Sequence, residues 1–324
     1  MAKYLKLFEN HTQYEEYITG ETAVLPNVSH CINEVEVHYN PIVPFSKQYF
    51  TLEFLTSGTI SWNVNLEEIC KTISYSLDNG QTWTEITSVI RNPIEIEVEI
   101  GDKMLLKGEN EFYGVAGERD NSNYFRGSAT FNAYGNILSL FYGDDFADYD
   151  YFPEVESEYY GQCFGLFWKS NLVSAKNIIF PQDETNMNDY TYYKIFIGST
   201  ITEIPNDPIL LKRAESGFEG CNNLTSVIFG DNIEIIGESA FNGCSGLTSV
   251  TIPSSVTSIG NHAFIFCGGL TSVTIEATTP PTLGSGAFNG NASGRKIYVP
   301  SANVNAYKTA TNWSGYAADI EPIQ

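Results

Sequence analysis

The chain has 324 residues, of which 42% are hydrophobic and 14% aromatic, and the length predicts two or three domains. Many aromatic and few charged residues favour β-rich domains over helical bundles. The 39 acidic and 17 basic residues give a formal charge of −22, which argues against nucleic acid or an anionic membrane as a partner.

Residues 1–45 predict an extended anchoring arm without a core of its own, because Leu25-Pro26, Asn40-Pro41 and Val43-Pro44 imply an irregular path. Its apolar side chains need a partner surface to become buried. The candidate anchoring residues are Leu5, Leu7, Phe8, Tyr14, Tyr17, Ile18 and Leu25. The N-terminus lacks a signal-peptide core, so we expect a chain that stays in the cytoplasm unless a virion or an export machine carries it out.

Residues 46–142 contain short alternating runs, such as Thr59–Val64 and Ile94–Ile100, separated by Gly, Asn, Asp or Pro. This pattern predicts a small antiparallel β-sandwich that serves as a platform. Within it, Ser76–Trp83 matches the Asp-box pattern S-x-D-x-G-x-T-W and resembles the repeats of sialidases. Those enzymes carry several boxes, an arginine cluster and a tyrosine nucleophile, whereas this chain has one box. We therefore interpret it as a structural hairpin around an Asn-Gly turn.

Residues 142–161 mix aromatic rings with carboxylates and show neither a helical nor a strand period. Such a mixture suits sugar stacking, calcium coordination or a protein interface, and its simpler interpretation is a capping loop whose rings pack inward. The candidate ligand-contact residues are Tyr142, Asp144, Asp145, Tyr149, Tyr151, Tyr159 and Tyr160.

A 23-residue repeat dominates the C-terminal half. Each copy carries Leu-x-x-Val-x-Ile, a short strand whose alternate residues point inward, so we predict a solenoid over residues 143–294 with one coil per repeat. The repeated positions are Phe218, Cys221, Leu224, Phe241, Cys244, Leu247, Phe264, Cys267 and Leu270. Degenerate copies precede these, with Ile195–Ile204 interpreted as a strand. Residues 295–324 abandon the repeat and predict a C-terminal cap made of a strand and a short helix.

The cysteines that share the repeat lie about 5 Å apart in stacked coils, which would also suit a disulfide or a metal site. No His or acidic ladder has the same period, so we predict buried free thiols and no metal or cofactor. The chain carries no H-E-x-x-H, G-x-S-x-G, Walker or G-x-G-x-x-G motif. We therefore expect a protein that is not an enzyme.

The repeat unit A-F-x-x-C-x-x-L-T-S-V-x-I-P resembles the BspA-like leucine-rich repeats over about residues 163–290. The resemblance implies a mainly β fold and a role in adhesion or in glycan or protein contact. Residues 49–146 resemble a module that precedes such repeats in Bacteroidales surface proteins and their phages, where it is a spacer or platform.

The arm segments Tyr4–Ile18, Leu25–Ser29 and Val37–Pro41 are similar to the N-termini of virion-associated proteins in crAss-like and related phages. The resemblance implies a head fibre or capsid decoration protein at the virion surface, assembled in the host cytoplasm. Its arm would dock on capsid or other virion proteins, and its solenoid would contact host-surface glycans or proteins; homo-oligomerisation is left open. The alternatives are a bacterial surface adhesin, which needs an export signal, and a glycan-cleaving enzyme, which needs convergent carboxylates.

Overall fold

The computed structural model describes residues 48–64, 70–90, 93–116 and 121–324. Two sheets form in the N-terminal part of these residues. Their strands in chain order are β1 (Phe50–Phe54), β2 (Gly58–Val64), β3 (Thr72–Ser76), β4 (Thr84–Thr87), β5 (Glu95–Val98), β6 (Lys103–Lys107), β7 (Gly114–Val115), β8 (Asn121–Gly127), β9 (Phe131–Asn136), β10 (Tyr160–Gly161) and β11 (Leu172–Ile179). The candidate anchoring residues, Leu5 to Leu25, lie outside the described residues, so the anchoring arm stays a prediction.

The two sheets have the orders β11-β9-β1-β6-β3-β4 and β10-β7-β8-β2-β5. All their strand pairs are antiparallel except β11 with β9. The alternate residues Phe50, Leu52 and Phe54 of β1 are buried, as a strand with one face on a core requires. Residues of both sheets, including Trp62 and Leu106, line one apolar space between them. The β-rich sandwich that the alternating runs predict is therefore present.

Strand β11 lies within the range expected for the solenoid, yet it pairs in parallel with β9 of the sandwich. Its apolar residues Leu172 and Ala175 are fully buried. One continuous hydrophobic core extends from Phe50 to Ile320, so hydrogen bonding and packing both run across the expected boundary at residue 142. The division of the chain into separate domains stays a prediction.

The C-terminal part forms two parallel sheets. Their strands are β12 (Ser226–Ile228), β13 (Ile235–Ile236), β14 (Ser249–Ile252), β15 (Ser258–Ile259), β16 (Ser272–Ile275), β17 (Thr282–Leu283), β18 (Lys296–Val299) and β19 (Ile320–Pro322). The longer sheet has the order β12-β14-β16-β18-β19 and the shorter one β13-β15-β17. Val227 pairs with Val250, and Val250 pairs with Val273, so neighbouring coils are offset by the 23-residue period.

A stack of six phenylalanine rings runs along the solenoid and is called here the phenylalanine ladder. Neighbouring centroids are 5.1 to 5.5 Å apart and neighbouring planes lie within 15° of parallel. Its members are Phe167, Phe196, Phe218, Phe241, Phe264 and Phe288. Phe196 therefore occupies a ladder position, and the interpretation of Ile195–Ile204 as a strand is wrong. The degenerate sequence hid the register, because Ile195 and Ile201 mimic the alternation of a strand.

The helices of the described residues are short: α1 (Ser139–Tyr142), α2 (Pro208–Arg213), α3 (Val304–Thr309) and the 3-10 helices Gly143–Asp148, Ser301–Asn303 and Trp313–Tyr316. Within this part of the chain, no helix is long and apolar enough to span a membrane. Strand β18 and helix α3 belong to the C-terminal segment for which a strand and a short helix are predicted.

The C-terminal segment covers the last coil with two large rings. Tyr307 and Trp313 are buried and pack edge to face, with centroids 5.0 Å apart. The Tyr307 hydroxyl donates to the Ala277 carbonyl at 2.7 Å, and the Trp313 indole donates to the Pro281 carbonyl at 2.7 Å. The segment thus covers apolar surface and supplies donors to carbonyls that the repeat leaves without a following coil.

Candidate functional site

Three rings of the acidic and aromatic segment meet at the surface, and Tyr142, Tyr149 and Tyr151 are called here the tyrosine cluster. Tyr142 and Tyr149 stack with centroids 3.8 Å apart and planes 8° apart. The Tyr151 ring meets both edge-on, at 6.3 and 5.7 Å. All three side chains are half-buried. Aromatic pairs of this kind stabilise each other by roughly 0.5–1.5 kcal/mol beyond area burial, so the cluster forms an ordered aromatic face.

Local structure fixes the cluster. Helix α1 ends at Tyr142, and Gly143 adopts a φ of 56°, a conformation that suits glycine and turns the chain into the following 3-10 helix. Phe141 and Phe146 are buried on either side of the turn in sequence and anchor it to the core. The backbone N–H of Tyr149 then donates to the Phe146 carbonyl at the end of the 3-10 helix, and the Tyr149 ring stacks on Tyr142.

An ion pair holds the 3-10 helix against the sandwich. Lys107 Nζ lies 2.8 Å from both carboxylate oxygens of Asp144, and the Tyr49 hydroxyl donates to Asp144 Oδ1 at 2.6 Å. The hydrogen bonds from Lys107 and Tyr49 hold the pKa of Asp144 below its usual range. Burial, followed by the bond to Asp144 and its charge, raises the pKa of Tyr49 to about 12. Asp144 is thus already engaged by the fold, whereas Asp145 is exposed and available to a ligand.

The Asp-box forms the structural hairpin that its sequence predicts. Asp78 accepts from the backbone and the hydroxyl of Thr82, at 2.9 and 2.6 Å, and also from Ser76. These bonds, those from Thr82 first, lower the pKa of Asp78 to about 2. Trp83 donates to the Gly80 carbonyl at 3.1 Å, and its ring lies 4.3 Å from Lys107 Nζ.

Lys107 and Tyr49 therefore link the box to the acidic segment, since Tyr49 packs on both Trp83 and Phe146 with centroids 5.1 Å away in each case. Sequence reasoning missed Tyr49, Trp83 and Lys107 as supports of this surface. Trp83, the tryptophan of the Asp-box pattern, was the one local sequence signal that an aromatic ring supports this surface.

Tyr159 and Tyr160 lie in a different ring group, although sequence reasoning placed them with the tyrosine cluster. Tyr160 belongs to β10 and stacks on Phe112 with centroids 4.1 Å apart, and Tyr159, which is 51% exposed, lies 6.2 Å from Tyr190. Pairing of β10 with β7 directs these residues toward the edge of the second sheet. The candidate contact residues are thus divided between two surfaces.

All nine repeat positions are fully buried. The three repeat cysteines are free thiols that donate to ladder carbonyls: Cys221 to Phe196, Cys244 to Phe218 and Cys267 to Phe241, at 3.0, 3.1 and 3.1 Å. Burial raises the pKa of each thiol. Among the described residues, no group of three or more His, Cys, Asp or Glu side chains is arranged to hold a metal ion.

The longer parallel sheet presents a row of small polar side chains to solvent. Ser226, Ser249 and Ser272 are in register, and Thr251 and Thr274 are in register two residues further along. These positions alternate with the buried valines of the same strands. The solenoid thereby keeps a mainly hydroxyl surface opposite its core, interrupted at Ile228, which is in register with Thr251 and 83% exposed.

Residues 211–311 match the family described as "BspA type Leucine rich repeat region", in six copies. The BspA-type repeats that the 23-residue period predicts are confirmed in this region. Among solved structures, a leucine-rich repeat protein from Bacteroides ovatus ATCC 8483 matches with 19% identity and a TM-score of 0.27 over 48% of this chain and 49% of that one. This chain therefore spans about half the length of that protein. No curated protein matches the sequence.

Proposed function

We propose that this chain is a non-catalytic attachment protein that binds glycans or proteins on a host-cell surface. The observation that carries the proposal is the tyrosine cluster, with its half-buried stacked rings and the exposed Asp145 three residues along the chain from Tyr142. Tyrosines suit binding surfaces because they bury a large apolar area with few rotatable bonds and keep a polar edge for hydrogen bonding.

The BspA-type repeats support this proposal as a rigid scaffold. The phenylalanine ladder and the continuous core connect the segment that carries the tyrosine cluster to the C-terminal coils. A contact surface on such a scaffold loses little conformational entropy on binding, because its side chains are already ordered. The hydroxyl row of the longer sheet offers a second polar surface for the same partner.

We place the protein on a phage virion, as a head fibre or capsid decoration protein whose arm, residues 1–45, anchors it to the capsid or to another virion protein. The support is the similarity of the arm to virion-associated proteins. A bacterial surface adhesin is the second candidate. The BspA-type match of residues 211–311 supports the adhesin and the virion protein equally, because such repeats serve several kinds of surface. Mass spectrometry of purified particles and of envelope fractions distinguishes the two.

The state of the carboxylates favours binding over glycan cleavage. A glycosidase needs a carboxylic acid with a raised pKa and a second carboxylate facing it across a cleft. Among the described residues, Asp207 is the carboxylate whose pKa burial raises. One Asp207 oxygen caps helix α2 by accepting from Leu210 N at 2.8 Å, and the other accepts from the Gln182 side chain at 2.8 Å. A structural role therefore accounts for this buried carboxylate.

The test is binding of the fluorescently labelled full chain to a panel of intact bacterial cells by flow cytometry. The double variant Tyr149→Ala, Tyr151→Ala removes two rings of the cluster, and we expect at least a tenfold loss of affinity for the cells that the native chain binds. The matched control is Tyr159→Ala, which removes a more exposed ring outside the cluster and leaves binding unchanged. Equal binding by the native chain and the double variant would contradict the proposal.

A further inference from the structure

One backbone position in every coil adopts a left-handed conformation. It is the second residue after the ladder phenylalanine, with φ values of 63°, 68°, 69° and 69° at Gly198, Gly220, Gly243 and Gly290. In the coil between the last two of these glycines, the same position holds Phe266, with a φ of 58°. The backbone hydrogen bonds confirm the equivalence, because Gly243 N donates to the Ile265 carbonyl and Phe266 N donates to the carbonyl at the same position one coil on.

Folding does not account for a phenylalanine at this position. Positive φ is disfavoured for a bulky residue, and the side chain is 63% exposed, so the core gains little from the ring. The ring lies directly over Gly290 of the next coil: a Cβ at Gly290 would be 2.5 Å from Phe266 Cδ1. A strained, exposed aromatic residue that departs from its own repeat indicates a role other than stability.

A polar cavity adjoins Gly290, the residue on which the Phe266 ring lies. Its volume is about 260 Å³, and its lining includes Asn289, Asn291, Arg295, Tyr316 and Asp319. The Tyr316 hydroxyl donates to Asn289 Oδ1 at 2.9 Å. Asn289 is exposed, and its amide nitrogen takes no part in this bond. The cavity therefore combines amide, hydroxyl and carboxylate groups beside an aromatic face.

Arg295 organises the wall of the cavity. Its side chain is 7% exposed, and its terminal nitrogens bind the Phe288 carbonyl, Asn291 and Asp319. Its Nε is buried without a hydrogen-bond partner among the described residues. Its terminal nitrogens therefore fix the wall of the cavity, because they hold the Phe288 carbonyl, Asn291 and Asp319 in place.

We propose that Phe266 and this cavity form a binding site for one neutral sugar residue, with the Phe266 ring as the stacking face and the cavity groups as hydroxyl partners. The site deepens the proposed attachment function, because it assigns the glycan class. The volume lies near the lower end of the roughly 300–1,000 Å³ of small-molecule sites, which suits one ring rather than an oligosaccharide.

The charges favour a neutral ligand. Arg295 is neutralised by Asp319, with Nη2 2.6 Å from the carboxylate, and the chain as a whole carries −22. An anionic sugar would approach a repulsive field and find no unpaired cation in the site. An apolar ligand would displace water from the exposed Asn289 amide without replacing its hydrogen bonds.

The test is an array of immobilised neutral saccharides, terminated by glucose, galactose, mannose or an N-acetylhexosamine, with sialylated and sulfated counterparts, probed with the full chain. Phe266→Gly installs the glycine that four of the other five coils carry, so it keeps or raises the thermal midpoint. We expect it to lower the affinity for the neutral ligand at least tenfold. Asn289→Ala, which truncates an exposed cavity side chain, lowers it as well.

Lys169→Gly is the matched control. Lys169 holds the same position in the first coil, with a φ of 50°, and its Cγ approaches Gly198 as Phe266 approaches Gly290. The Lys169→Gly variant relieves the same backbone strain without removing a ring, so we expect it to bind the sugar with the affinity of the native chain. Absence of binding to every neutral saccharide, native affinity in Phe266→Gly, or preference for the anionic saccharides would each overturn the site.

Cell binding separates this site from the attachment function. If the chain binds cells and Phe266→Gly binds them and the saccharides equally well, the site is wrong and attachment stands. If the chain binds neutral saccharides through Phe266 but binds no cells, the site stands and the attachment function is wrong.

Discussion

At the scale of single residues, the third position after each of the last four ladder phenylalanines acts as a hydrogen-bond donor to the preceding coil. Cys221, Cys244 and Cys267 donate through thiols, and Asn291 donates through its amide to the Phe264 carbonyl at 2.7 Å. A buried carbonyl needs such a partner. The sequence period predicts that these cysteines are buried, but it does not reveal the donor role, which Asn291 shares without sharing the residue type.

Replacement of Cys244 tests the donor role. Cys244→Ala removes one of two donors to the Phe218 carbonyl, which keeps its bond from Cys221 N, and loss of such a bond costs about 0.5–1.5 kcal/mol. Cys244→Ser keeps a hydroxyl donor and is expected to lower the free energy of unfolding less than the alanine variant does. Urea denaturation measures both, and a serine variant as unstable as the alanine variant would count against the bond.

Leu247 tests the burial of the repeat. The side chain is fully buried, so Leu247→Ala is expected to cost about 2–5 kcal/mol of unfolding free energy through lost burial and a residual cavity. Thr251→Ala, on the exposed face of β14, is the control and is expected to cost about 1 kcal/mol or less. A thermal midpoint that Leu247→Ala leaves unchanged is incompatible with the solenoid register.

At the scale of elements, burial keeps Tyr142 of the cluster and Tyr49 beneath it protonated to high pH. Burial first, and then the neighbouring Tyr151 and Tyr149, raise the pKa of Tyr142 to about 12, and Tyr49 reaches a similar value. Because the folded state favours the protonated hydroxyl, each of these two tyrosines contributes stability that is fully present below the unfolded-state pKa of about 10. This contribution is lost as the pH rises toward the folded-state pKa of about 12.

We therefore expect the thermal midpoint of the native chain to fall between pH 10 and 12. Tyr142→Phe has no hydroxyl to ionise at this position, so its midpoint falls less over the same interval. Scanning calorimetry at fixed ionic strength measures both. The same fall in the variant as in the native chain would place the ionising group elsewhere.

The elements differ in how far sequence reasoning could reach. The copies at 217–276 repeat closely enough to predict their strands, and the Asn-Gly turn predicts the Asp-box hairpin. Strand β11 was not predicted as part of the sandwich, because its pairing with β9 includes two register shifts that blur the alternation. The bond between Lys107 and Asp144 joins residues 37 positions apart, and local spacing carries no signal for such a contact.

At the scale of the whole molecule, the described fold begins close to the end of the arm. Phe50 of β1 is fully buried, and Tyr49 packs against Trp83 and Phe146. Deletion of residues 1–45 removes none of the residues that make these contacts. In the full-length chain, we expect the apolar residues of the arm to bury against a partner, which stabilises the complex by roughly 25 cal/mol per Å² of apolar surface. Burial in a preformed groove would offset the entropy of ordering the arm.

Deletion of residues 1–45 tests the arm-anchored attachment account most directly. The measurement compares full-length and truncated chains for incorporation into virions, with circular dichroism melting as the control for folding. We predict an unchanged melting transition together with loss of the truncated chain from purified particles. Incorporation of the truncated chain at the full-length level would contradict the account.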